Sequence, residues 1–91
     1  MKVYEFLADE RHGWCVGAYA RTKTGRPCRY YSRRAVAWSL LGAMMRIVPD
    51  EDYGDASNAV LRITLVPPEE WAERPGRTRQ DIVELLRRLD I

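Results

Sequence analysis

The 91 residues are 46% hydrophobic and 31% charged with a net charge of +2, a balance that fits one folded domain over residues 1–91 and excludes a disordered or polycationic chain. A domain of this size buries about 60–65% of the surface its unfolded chain exposes, enough for a single core. No run approaches the roughly 20 apolar residues of a membrane span, and the opening MKVYEFLADERHGW lacks the long apolar region of a secretory signal, so the expected compartment is the reducing cytoplasm.

Residues 2 to about 11 read as a short helix. Val3, Phe6 and Leu7 share a face, Tyr4 lies off it, and Gly13 is placed to end it. VYEFL also half-alternates, so a strand competes. The segment His12–Gly17 (HGWCVG) is a glycine-flanked turn expected to insert the Trp14 indole into the core. Residues 18–31 read as a hairpin-like excursion, two extended arms around Lys23-Thr24-Gly25, with Gly25 supplying a positive φ. Pro27 confines the second arm to an edge or an irregular path.

Ser32–Val48 (SRRAVAWSLLGAMMRIV) is expected to be a central buried helix. At 100° per residue, Val36, Leu40, Ala43, Met44 and Ile47 fall on one face, and Trp38, Leu41, Met45 and Val48 widen the apolar arc to roughly 220°. The remaining strip holds Arg46 and three small residues, Ala35, Ser39 and Gly42, which would let another backbone approach. Ser32 is placed to cap the start and Pro49 to stop the end. Asp50–Gly54 reads as an acidic loop. In Asp55–Val66, Ala56, Ala59, Val60 and Ile63 fit a helix from about Asp55 to Ile63, against a strand at Val60–Val66. Pro68 and the acids after it suit one helical turn. Thr78 to Asp81 resembles a capping box, and Ile82, Leu85, Leu86 and Leu89 then form a narrow apolar stripe. The expected fold is therefore mainly α, a compact three- to four-helix domain around residues 32–48.

The chemistry is read mainly by elimination. No phosphate-cradling glycine loop and no helical histidine pair is present. Cys15 three residues after His12 raises a thiol nucleophile, but no third group is specified. His12, Cys15 and Cys28 supply three soft ligands where a closed zinc site takes four. A Cys15–Cys28 disulfide across the hairpin competes with two inert thiols. No cofactor is implied. The clearest feature is a run of cations without an intervening acid: Arg21, Lys23, Arg26, Arg29, Arg33 and Arg34, interleaved with Tyr30 and Tyr31. Such a run can meet phosphates or an acidic protein face, and its tyrosines can stack on unpaired bases.

Gly13-Trp14-Cys15-Val16-Gly17 resembles the Gly-Trp-Cys-Gln-Gly signature of a small family of domains of unknown function found in bacteria and their phages. Gly25-Arg26, Trp38-Ser39-Leu40-Leu41-Gly42-Ala43, Trp71-Ala72-Glu73 and Pro75-Gly76-Arg77-Thr78 resemble its later motifs in the same order. Val16 replaces the family's glutamine, Ser39 its cysteine in Cys-Ala-Leu-Gly-Ala, and Ala72-Glu73 its Asn-Asp. The resemblance implies a mainly helical domain in a phage or mobile-element setting and no mechanism. The functional expectation is a non-enzymatic protein that binds a host protein or protein–nucleic acid complex, such as a CRISPR complex. Its expected contacts are Arg21, Lys23, Arg26, Arg29, Tyr30, Arg33 and Arg34. Direct nucleic-acid binding through residues 21–34 is the alternative, and a thiol enzyme or metal protein built on Cys15 and His12 is a third.

Overall fold

The computed structural model describes residues 1–91. Helix α1 (Val3–Ala8) turns Val3, Phe6 and Leu7 into the core. It stops well before Gly13 because Asp9 goes extended. The Asp9 carboxylate then accepts the Arg11 backbone N–H at 2.9 Å and pairs with its guanidinium at 2.7 Å.

Four short strands follow: β1 (Gly13–Trp14), β2 (Ala20–Thr22), β3 (Pro27–Cys28) and β4 (Ala35–Trp38). Their spatial order is β1-β4-β2-β3. β1 runs parallel to β4, and the other pairs are antiparallel. The β2–β3 hairpin closes with Thr22 N–H donating to the Arg26 carbonyl at 2.8 Å and Gly25 N–H to the Thr22 carbonyl at 2.9 Å. Gly25 has φ +86°, and Pro27 sits on the edge strand, where its missing N–H breaks no central ladder.

The mainly α expectation is overturned: five helices accompany this four-stranded mixed sheet, an α+β fold. The correction falls on the stretch read as one central helix. Ala35–Trp38 is a strand, bonded to β1 on one side and to β2 on the other. Four residues cannot separate a helical period from strand alternation, and the partners that decide it lie far off in sequence. Val36, assigned to the core face of a helix, is 45% exposed. The helix start is Ser39, whose hydroxyl accepts the Gly42 N–H at 3.1 Å. Ser32 spends the same capping chemistry on a local turn, accepting the Arg34 N–H.

Helix α2 (Leu40–Ile47) is the buried centre, with Leu40, Ala43 and Met44 fully covered. It touches α1, α3 (Asp50–Thr64) and α4 (Pro68–Ala72). Asp50, Glu51 and Asp52, read as a loop, form the first turn of α3, where their charge favours the positive end of the dipole. Helix α5 (Arg79–Leu89) opens with the expected capping box. Thr78 accepts the Asp81 N–H at 3.2 Å, and Asp81 accepts the Thr78 N–H at 3.0 Å. That backbone hydrogen bond holds the Asp81 carboxyl below its ordinary value. The apolar stripe of α5 packs on α1 and α3.

The core is a single cluster. Its indole is Trp38, whose Nε1–H donates to the Tyr30 carbonyl at 2.9 Å. Trp14, expected there, is half-buried at its rim. Phe6 meets Trp38 edge-on at 4.9 Å, and the His12 ring stacks on Phe6 at 4.0 Å. The Arg46 guanidinium covers Trp38 at 5.3 Å. No helix is long and apolar enough to cross a membrane.

Candidate functional site

The tight turn between β2 and β3 gathers part of the basic run. Lys23, Arg26 and Arg34 line an open groove of about 530 Å³ together with Thr22 and Thr24, and neither an apolar nor an acidic side chain borders it. The two threonine hydroxyls hydrogen-bond to each other at 3.1 Å. The salt bridges of the chain, Lys2–Asp90 and Arg11–Asp9, lie elsewhere, so these three cations have no carboxylate partner. Arg34 reaches the groove because the Ser32 turn brings the chain back alongside the hairpin on its way into β4.

The other expected contacts take different positions. Arg21 is half-buried and bent back on its own hairpin, donating to the Gly25 carbonyl at 2.9 Å and the Val16 carbonyl at 3.1 Å. It braces the turn that presents its neighbours. Arg29 lies over Tyr31, its guanidinium 5.8 Å from the ring centroid and donating to the Tyr31 hydroxyl. Tyr30 is half-buried against the core and edge-on to Tyr31 at 5.0 Å, which leaves Tyr31 as the open ring at 56% exposure. Arg33 is exposed and outside the groove. Thr22 and Thr24 are groove residues that the sequence reading does not single out. Their signal is present in Thr22-Lys23-Thr24-Gly25-Arg26, where a two-sided turn puts hydroxyls beside cations.

The Cys15 loop is built differently from a nucleophile site. The His12 Nδ1–H donates to the Phe6 carbonyl at 2.8 Å, so this imidazole is committed to the core as a stacked ring. The Cys15 thiol lies 3.9 Å from the Ala18 carbonyl, its hydrogen-bond acceptor. Burial pushes this thiol up, against a smaller opposing pull from the Arg21 guanidinium. Both cysteines are free, and no group of three metal-ligating side chains forms around them. In a Cys28→Ser variant, the rate of Cys15 with a soluble disulfide reagent is expected to rise through a pH midpoint above the ordinary value of a free cysteine thiol. Native protein should react more slowly than unfolded protein at neutral pH. A midpoint below that value would reveal an activated thiolate and reverse this reading.

These features define a small α+β domain with a solvated basic hairpin tip braced by its own arginine. The chain belongs to the family of unknown function DUF6197, whose model matches residues 4–89. No curated protein and no solved structure matches the chain.

Proposed function

We propose that this protein acts without catalysis, by docking on a macromolecule through the groove of Lys23, Arg26 and Arg34. The partner is a host protein or protein–nucleic acid complex presenting carboxylates or phosphates, met in the cytoplasm of a bacterium by a phage or mobile-element protein. A component of transcription, division or defence, such as a CRISPR complex, fits that description. The observation that carries the reading is the groove itself: three cations converge beside two hydroxyls with no acid to neutralise them. Cations without an internal partner contribute little to the fold and keep their charge for an external anion. The phage setting is supported by the ordered motif resemblance.

The test is a triple variant, Lys23→Glu with Arg26→Glu and Arg34→Glu, compared with Cys15→Ser in pull-downs from a bacterial host. All three reversed positions are exposed, so circular dichroism should show an unchanged fold. The triple variant is expected to lose at least about tenfold in affinity for the captured partner, and Cys15→Ser to keep it. Equal capture by wild type and triple variant would refute the docking role.

Direct nucleic-acid binding is a second reading, favoured by the open Tyr31 ring beside Arg29. If three phosphates are neutralised, log affinity for duplex DNA falls against log salt with a slope of about −2.7. No binding to single- or double-stranded DNA or RNA at low salt would remove this reading.

A further inference from the structure

A cleft at the junction of the sheet and α4 has chemistry opposite to that of the hairpin tip. Its cavity of about 570 Å³ is lined by residues that include Trp14, Tyr19, Cys28, Leu40, Ala72 and Glu69. That volume is in the range of small-ligand sites, which pair a mainly apolar wall with a few polar groups. The cleft continues past Tyr19, Leu41 and Glu69 into a second depression that adds Tyr30, Tyr53 and Asp50. Glu69 therefore stands where the two meet, among aromatic residues of both depressions.

The charges around the cleft differ in how they are committed. Glu73 accepts the Gly17 N–H at 2.8 Å, which ties α4 to the loop after β1. Arg29 borders the sheet side and is held on the Tyr31 hydroxyl. Glu69 has no salt bridge. Glu69 and Tyr53 line the same depression, and burial, and after it the Glu69 carboxylate, pushes the Tyr53 phenol up. Tyr19 is 49% exposed at the mouth, and its backbone is clamped by Ser39, so the ring has a fixed base and a free face.

We propose that this cleft binds an organic cation, an ammonium or guanidinium carried on an apolar body, with the body against Trp14 and Leu40 and the charge between Glu69 and the tyrosine faces. Aromatic faces attract cations through their quadrupole, and the exposed Glu69 carboxylate, with no salt-bridge partner at the edge of an apolar wall, adds a charge-assisted hydrogen bond. A neutral ligand of the same shape would gain the apolar contacts alone. An anion would meet two carboxylates, Glu69 and Glu73, against the single Arg29 guanidinium that borders the cleft. The site is independent of the basic groove and stands if that docking role fails.

Amide and indole NMR titrations of the full chain test it. The probes are phenethylamine, its neutral analogue 2-phenylethanol, phenylacetate, and a blocked Leu-Arg-Leu peptide. Phenethylamine or the peptide is expected to shift the Trp14 indole N–H and the Ala72 amide saturably. Its affinity should exceed that of 2-phenylethanol by roughly tenfold, with phenylacetate weaker still. The stronger of the two cationic probes tells whether the source is a free amine or a partner's side chain. Glu69→Gln should reduce the advantage to near one, and Glu70→Gln, on the same turn but outside the cleft, should leave it intact. An overlay of the unperturbed resonances checks that both variants stay folded. Equal affinity for cation and neutral analogue, an advantage that survives Glu69→Gln, or no saturation by about 10 mM would each overturn the proposal.

Discussion

Gly42→Ala is expected to destabilise the protein by at least about 3 kcal/mol, lowering the thermal midpoint by roughly 15 °C or more. A Cβ added at Gly42 would lie 1.9 Å from the Tyr19 carbonyl oxygen and 2.7 Å from its carbon. Both are backbone atoms, so no side-chain rotation relieves the clash. Retreat of the Tyr19 segment is opposed as well. That same oxygen accepts the Ser39 N–H at 3.1 Å and the Ser39 hydroxyl at 3.4 Å. The substitution therefore breaks the joint between the approach to β2 and the first turn of α2. Helix propensity pulls the other way, by up to about 1 kcal/mol in favour of alanine, and loses. Gly54 in α3 is the internal control. A Cβ added there would meet nothing within 4 Å, so Gly54→Ala should be stabilising by about 0.5–1 kcal/mol. Urea denaturation followed by circular dichroism checks both signs. A Gly42→Ala protein as stable as wild type would show that the Tyr19 segment can yield at little cost.

Arg79→Met should cost about 2–4 kcal/mol. The Arg79 guanidinium donates to the Leu7 carbonyl at 2.7 Å, the Asp9 carbonyl at 3.0 Å and the His12 carbonyl. These carbonyls lie where α1 ends and the chain turns towards β1, and the Asp9 carbonyl also accepts the His12 N–H. One planar fork from α5 satisfies all three. Methionine keeps much of the apolar stem and removes all three bonds, the Asp9 carbonyl alone keeping its turn bond from the His12 N–H at 2.9 Å, so the loss isolates the hydrogen bonds from the packing. Because Arg79 is half-buried, water recovers part of the deficit, which sets the upper bound below the sum of three charged bonds. Arg79→Lys should restore only a minor part, since a single ammonium cannot span the fork's geometry. Hydrogen exchange should quicken first in α1 and the 9–12 turn. A loss under about 1 kcal/mol for Arg79→Met would mean that α1 is held mainly by Val3, Phe6 and Leu7.

Much of the fold is legible residue by residue. The α5 capping box at Thr78, the Gly25 turn, the burial of Val3, Phe6 and Leu7, and the stop at Pro49 follow from short-range rules. Small residues at Ser39 and Gly42 do signal a close backbone approach, and the Tyr19 carbonyl is what approaches. Ala35–Trp38 defeats the sequence reading because local periodicity is weakest over so few residues. The acidic segment after Pro49 defeats it because charge marks a helix start as readily as a loop. For the basic groove, the cations are legible and their grouping is not. Arg21 looks like its neighbours in sequence, yet the Gly25 carbonyl of its hairpin turn and the Val16 carbonyl of the loop before β2 claim it. The cleft around Glu69 leaves no signal at all, because Trp14, Tyr19, Tyr53 and Glu69 come from four separate segments.

What the sequence determined alone was the chemistry of each segment: which turns can close, which faces are apolar, and that one stretch of the chain carries cations without acids. Those outcomes depend on a residue and its neighbours within a helical turn or a hairpin loop, so they survive any change of context. The tertiary structure decided the fold class, the start of α2 and the composition of both surface sites. A four-residue strand has no stability of its own and exists because β1 and β2 supply its hydrogen bonds from distant parts of the chain. Whether a charge is spent inward or left for a partner is settled by the same long-range packing.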